Sequence, residues 1–187
     1  LVFPIFIKFM GIGAILGGML GTGLGYLVEM ADRSFRKPED IMREFGIPIV
    51  GHIPDVAEKQ LGPEKGQNEL DRMAVCVHAP RSRAAEAFRS VRTAVCFSIA
   101  GSEHRVIQIT SPTAGDGKST LALNLSISLA LSGKRTILVE SDFRRPRVHK
   151  FTGTENQVGI VDVLRGQAEL VDAVQTVDID GLYVMPC

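Results

Sequence analysis

The pattern of apolar and polar positions divides the chain into three stretches of different character. From Phe9 to Val28 run twenty uncharged residues, bounded by Lys8 and Glu29. At 1.5 Å per residue a helix of that length spans about 30 Å, the thickness of a bilayer's hydrocarbon core. The run predicts a transmembrane helix. A buried helix of a soluble protein is usually shorter and less uniformly apolar, and a secretory signal sits behind an initiator Met and before a small-residue cleavage site.

The middle stretch changes pattern twice. Pro38-Glu39-Asp40, with proline and acids in a first turn, and Gly46 predict a short helix and its end, and Ile47 to Pro54 reads as extended. From Asp55 to Asp71 the composition turns to Gly, Pro, Glu, Lys, Gln and Asn, which predicts a flexible linker. In the third stretch short apolar runs alternate with longer helical patterns. Val106 to Ile109, Thr136 to Arg144 and Leu182 to Met185 read as strands, the first two buried. Arg83 to Ile99, Leu121 to Leu131, Gly159 to Leu164 and Ala168 to Val174 read as helices. That alternation predicts an α/β fold, a parallel sheet flanked by helices. The expected organisation is therefore a membrane helix over residues 1–30, a connecting region over 31–80 and an α/β domain over 81–187.

The chemistry concentrates where the first strand meets the second long helix, in Ser111-Pro-Thr-Ala-Gly-Asp-Gly-Lys-Ser-Thr120. A strand, a Gly-rich turn and a helix make a P-loop, in which backbone N–H groups and the positive helix end hold a phosphate chain. The candidate nucleotide-binding residues are Thr113, Ala114, Gly115, Asp116, Gly117, Lys118, Ser119 and Thr120. Lys118 is placed to reach the β- and γ-phosphates of ATP, and Ser119, with Thr120, to ligate Mg²⁺. Pro112 stands where the usual pattern has its first Gly. Thr113 stands where cell-division and plasmid-partition ATPases carry a lysine, which argues against their close relatives. Thr136-Ile-Leu-Val-Glu-Ser-Asp ends in two carboxylates, Glu140 and Asp142. Acids at the carboxyl end of a strand in an open parallel sheet face the ligand, so both are candidate metal and catalytic groups.

Charge and composition narrow the partners. The 187 residues carry 21 basic and 21 acidic side chains, so no general affinity for nucleic acid is expected, and the basic cluster Arg144, Arg145, Arg147 and Lys150 is local. Arg33, Arg36, Lys37 and Arg43 follow the apolar run while only Lys8 precedes it, which places its C-terminal side in the cytoplasm. Gly13, Gly17, Gly21 and Gly25 recur every four residues, so they line one helix face and invite another helix to approach closely. Cys76, Cys96 and Cys187 have no metal-ligand spacing and read as free thiols of a reducing compartment. His52 has no ligating neighbour at a useful spacing. Glu86, Arg89 and Arg92 recur every three residues and share one helix face, which physics alone reads as a solvated stripe. The sequence begins at Leu1 and stops at Cys187, directly after an apolar run, and reads as cut at both ends.

Together the last membrane helix, the Pro-Glu-Asp helix leading to Gly-Ile-Pro-Ile-Val-Gly-His-Ile-Pro, Glu-Ala-Phe-Arg-Ser-Val-Arg-Thr, the Gly-rich loop and Val-Glu-Ser-Asp-Phe-Arg-Arg-Pro resemble the bacterial tyrosine kinases of the polysaccharide co-polymerase, or chain-length determinant, group. The resemblance implies an ATP- and Mg²⁺-dependent protein-tyrosine autokinase that controls capsule or exopolysaccharide assembly at the inner membrane. It implies that Glu86, Arg89 and Arg92 pack between cytoplasmic domains in a homo-oligomeric ring. It also implies that Glu140, Asp142 and Arg144 correspond to a modified Walker motif, D-x-D-x-R, with glutamate in place of the first aspartate. The family's third acidic motif and its tyrosine-rich tail are not within these 187 residues. Two further readings stay open: a membrane scaffold that binds ATP without phosphorylating anything, and a soluble partition-type ATPase, which the apolar run and Thr113 disfavour.

Overall fold

The computed structural model describes residues 3–31, 42–43, 45–56, 61–62, 70–101, 103 and 105–187. The chain divides into two compact units, Leu1–Ile49 and Val50–Cys187. The first contains helix α1 (Phe3–Ala31). Its stretch Phe9–Met30, with mean hydropathy 1.5 and none of it buried, is long and apolar enough to cross a membrane. Water would be a poor solvent for the exposed Phe9, Leu20 and Leu24 side chains, so the helix calls for lipid or for other helices. Thr22 returns its hydroxyl to the Gly18 carbonyl at 2.8 Å, which satisfies it without an external partner. Gly13, Gly17, Gly21 and Gly25 have open space where a Cβ would stand. Met42, Arg43 and Phe45 are helical, and the Gly46 N–H closes that turn on the Met42 carbonyl at 2.9 Å with φ 64°. The expected start of that helix at Pro38, and the cations Arg33, Arg36 and Lys37, lie outside the described residues.

The second unit is built on a three-stranded sheet of β1 (Thr136–Val139), β2 (Gln175–Thr176) and β3 (Leu182–Met185), in the order β1-β3-β2. β1 and β3 are parallel, from Thr136 opposite Leu182 to Val139 opposite Met185, as the sequence predicts, whereas the edge strand β2 runs antiparallel to β3. The helices are α2 (Val75–His78), α3 (Arg83–Ser98), α4 (Lys118–Ala130), α5 (Val148–Thr152), α6 (Ile160–Leu164) and α7 (Leu170–Ala173). Ser82 caps α3 by accepting the Ala85 N–H at 3.1 Å, and Ala84, Ala85, Phe88 and Val91 at helical spacing form its buried stripe. α4 packs against α3 and the sheet, with Leu123 and Ile127 fully buried beside Phe88, Leu182 and Val184. Positions 121–130 are apolar on nearly every side because α4 has protein around most of its circumference.

Three expectations change. The run Val106 to Ile109 is not a strand: it is irregular, and Val106 is 89% exposed. Among the described residues no strand pairs with it, and a four-residue apolar run has no reason to stay extended without a ladder partner. Ile47 to Pro54 is irregular too, though Ile53 and Val56 pack on the core. Finally, the described part of the expected linker is not free chain. Leu70 packs on the core, and Gly62 donates its N–H to the Arg72 carbonyl at 2.8 Å and lies so close to the His78 ring that a Cβ would collide with it.

Candidate nucleotide site

The Gly-rich loop enters α4 through two residues that only glycine adopts easily, Gly115 at φ 98° and Gly117 at φ 84°. Nothing stands within 4 Å of a Cβ at either position, so the need for glycine is conformational on the chain's own account. Gly117 caps α4, and its carbonyl accepts the Leu121 N–H at 2.8 Å. Upstream the loop is clasped. The Asp116 carboxylate accepts the Thr113 N–H at 2.9 Å and also the Thr113 hydroxyl, while the Ser111 hydroxyl donates to the Thr113 carbonyl at 2.9 Å. Those bonds from Thr113, assisted by the nearby Lys118, hold the Asp116 carboxyl below its ordinary 3.8. Asp116 and Thr113 are thus tied to each other within the loop.

The crossover from α4 to β1 brings the strand-end acids round to this loop, with different outcomes for the two. Lys118 Nζ lies 3.4 Å from Asp142 Oδ2, so the lysine of the loop and the second carboxylate meet. Asp142 Oδ1 accepts the backbone N–H groups of Arg145 at 3.0 Å and Arg144 at 3.3 Å. The Arg145 amide, then Lys118, keep the Asp142 carboxyl below its ordinary 3.8 against a partial desolvation that acts the other way.

Glu140 is 5% exposed, and its carboxylate accepts the Asp142 N–H at 2.9 Å and the Arg147 and Val148 N–H groups at 2.7 and 2.9 Å. The side chain reaches across the turn and fastens the loop from 141 to 148. Arg144 contributes an amide to Asp142, while its side chain is exposed.

Ser119 and Thr120 occupy the first turn of α4, half-buried, next to the cap. The arrangement fits a nucleotide phosphate chain and Mg²⁺: loop glycines in left-handed conformation, a lysine, a hydroxyl at the helix start and one partly exposed carboxylate. Among the described residues no group of three His, Cys, Asp or Glu is placed to hold a metal ion.

One residue that the sequence gave no reason to single out steadies this site. Asn124, fully buried on α4, accepts the Cys76 N–H at 3.0 Å and donates to the Met73 carbonyl at 2.8 Å and the Thr120 carbonyl at 3.0 Å. Its only sequence signal is a polar residue inside an apolar helical run.

The charged row on α3 splits as well. Glu86 and Arg89 pair with each other at 2.6 Å on the surface, and Arg89 also donates to the Pro80 carbonyl at 2.9 Å. Arg92 turns inward and donates to the Ser128 carbonyl at 3.0 Å, joining α3 to α4. A groove of about 400 Å³ runs along this face, flanked by Glu86, Arg89 and the 76% exposed Phe97.

No family model matches the chain. It is 31% identical over 172 residues to the tyrosine-protein kinase Ptk of Acinetobacter johnsonii, covering 91% of this chain and 23% of that protein. It is 30% identical over 195 residues to the succinoglycan biosynthesis transport protein ExoP of Rhizobium meliloti, covering 95% of this chain and 25% of that one. The kinase domain of the Escherichia coli tyrosine kinase ETK matches with a TM-score of 0.72 and 26% identity, over 81% of this chain and 60% of that domain. The shared fold is of the P-loop nucleotide-binding α/β type. The chain thus spans about a quarter of the length of the curated relatives it matches.

Proposed function

Because the chain is homologous to the bacterial tyrosine-protein kinases over nearly all of its length, we propose that its P-loop binds ATP with Mg²⁺ and serves a protein-tyrosine autokinase. The observation that carries this reading is the meeting of Lys118 with Asp142 at 3.4 Å, which joins a phosphate-binding loop to a strand-end acid. In this proposal Lys118 and the amides of residues 114–118 hold the phosphates and neutralise developing charge. Ser119 ligates the metal with Thr120 beside it, and Asp142 faces both the metal and the attacking hydroxyl. Glu140 holds the backbone that presents Asp142, and Asp116 holds Thr113. The setting proposed is exopolysaccharide polymerisation or export at the bacterial inner membrane, with α1 as the span, its C-terminal side cytoplasmic, and Glu86 and Arg89 at a contact between copies of the chain in a ring.

Calorimetry with Mg·ADP on the detergent-solubilised chain tests the site. Lys118→Ala removes a charge-assisted contact worth about 2–3 kcal/mol and should weaken binding on the order of a hundredfold. Equal affinities in wild type and variant would remove the assignment.

A further inference from the structure

The turn after β1 does more than carry Asp142. Its backbone is drawn inward by two carboxylates: the Arg144 and Arg145 amides go to Asp142, and the Arg147 and Val148 amides go to Glu140. The side chains of Arg144, Arg145, Arg147 and Lys150 are left exposed, and so is Phe143, at 57%. Four cations in seven residues, with no acid among them, belong to a chain whose formal charge is zero. Among the described residues none of the four has an ion-pair partner, since the two acids nearest in sequence are spent on backbone amides and on Lys118. Unpaired exposed cations attract anions from solution, and their fields add over distances within a Debye length, about 8 Å at physiological salt. An aromatic ring in the same turn supplies apolar contact for a side chain laid across it.

We propose that this turn is a docking surface for an acidic, tyrosine-bearing peptide segment, delivered alongside Asp142. The inference rests on the kinase reading and names its substrate class. Arg145 donates its backbone N–H to the carboxylate that meets Lys118, so a segment held on this turn has its Arg145 end beside the Gly-rich loop. A membrane surface fits less well. An inserting helix would need an exposed apolar face, and α5, which follows the turn, has five residues with Val148 and Thr152 buried in the unit.

The test uses the intact chain in detergent and a fluorescein-labelled peptide with a tyrosine flanked by glutamates, beside the same peptide with every glutamate replaced by glutamine. Anisotropy should show the acidic peptide binding more tightly, with the preference shrinking as salt is raised. The triple variant Arg145→Gln/Arg147→Gln/Lys150→Gln should bind it about fivefold or more weakly, at the scale of a few exposed charge contacts. The neutral peptide should be unaffected. Equal binding of both peptides, or no loss in the triple variant, overturns the proposal. Displacement of the acidic peptide by phosphatidylserine in mixed micelles but not by unlabelled acidic peptide would assign the surface to lipid and overturn it as well. Mg·ADP titrations on the same samples separate the two levels. Nucleotide binding without peptide preference leaves the site reading standing and removes this inference, and peptide preference without nucleotide binding removes the site reading and with it the substrate role given to this surface.

Discussion

Asp142 is the residue on which the site turns, and its acidity gives a direct check. A carboxyl whose pKa is lower in the folded chain than in the unfolded one stabilises the fold at pH values above the unfolded value. That contribution is lost as pH falls through the folded value. Asp142 is held below 3.8 by the Arg145 amide and by Lys118, so its contribution should be intact at neutral pH and fade only below about pH 4. Urea midpoints for wild type and Asp142→Asn should therefore differ at pH 7 and converge as pH is lowered towards 3. A gap that widens on acidification would mean that Lys118 and the turn amides do not hold this carboxylate. The left-handed loop at Gly117 and the approach of Asp142 to Lys118 were legible from spacing, because a Gly-rich loop before a helix and a strand-end acid impose local sequence rules. The hydrogen bonds of Glu140 were not, since they go to backbone amides seven and eight residues further on, which meet the carboxylate only once the turn has closed.

At the scale of elements, α3 presents opposite behaviour on its two sides, and two phenylalanines of the same helix measure it. Phe88 is 1% exposed in the core, whereas Phe97 is 76% exposed beside the groove. Phe88→Ala should cost about 3–5 kcal/mol of stability in denaturant unfolding, and Phe97→Ala should stay within roughly 0.5 kcal/mol. If the groove face is a contact between copies, Glu86→Ala/Arg89→Ala should shift the chain to smaller assemblies in mass measurements at equal concentration, without lowering stability. Arg92→Ala should instead lower stability, because its guanidinium joins α3 to α4 through the Ser128 carbonyl. An unchanged assembly in the double variant reduces the pair to a surface ion pair. Here periodicity located the helix from Arg83 to within one residue of its end, and β3 to the residue. Val106 to Ile109 escaped it because a strand is a relation between two segments, and hydrophobic content reports on only one of them. The short elements α2, α5 and β2 escaped for a related reason: with two to five residues each they hold no full period of any pattern, and tertiary contacts define them.

Taken whole, the chain pairs an apolar helix fit to cross a membrane with a nucleotide-type unit that carries one of its two tyrosines. Tyr26 lies within that apolar helix and Tyr183 sits half-buried in β3 with its backbone in the ladder. By itself the 187-residue chain should bind Mg·ATP yet take up little label on tyrosine when incubated with radiolabelled ATP. Strong, Lys118-dependent tyrosine labelling would show that one of these two positions opens far more readily than its surroundings suggest. The buried amide of Asn124 bears on how such opening would proceed. The Met73 carbonyl, the Cys76 N–H and the Thr120 carbonyl all have this one side chain as partner, which ties the start of α2 to the first turn of α4. Separating the two stretches would leave the amide without its bonds in a dry interior, so Cys76 should exchange its amide proton only when that contact opens. A ligand that clamps the glycine loop would then slow proton exchange at Cys76, about forty residues earlier in the chain, without touching it.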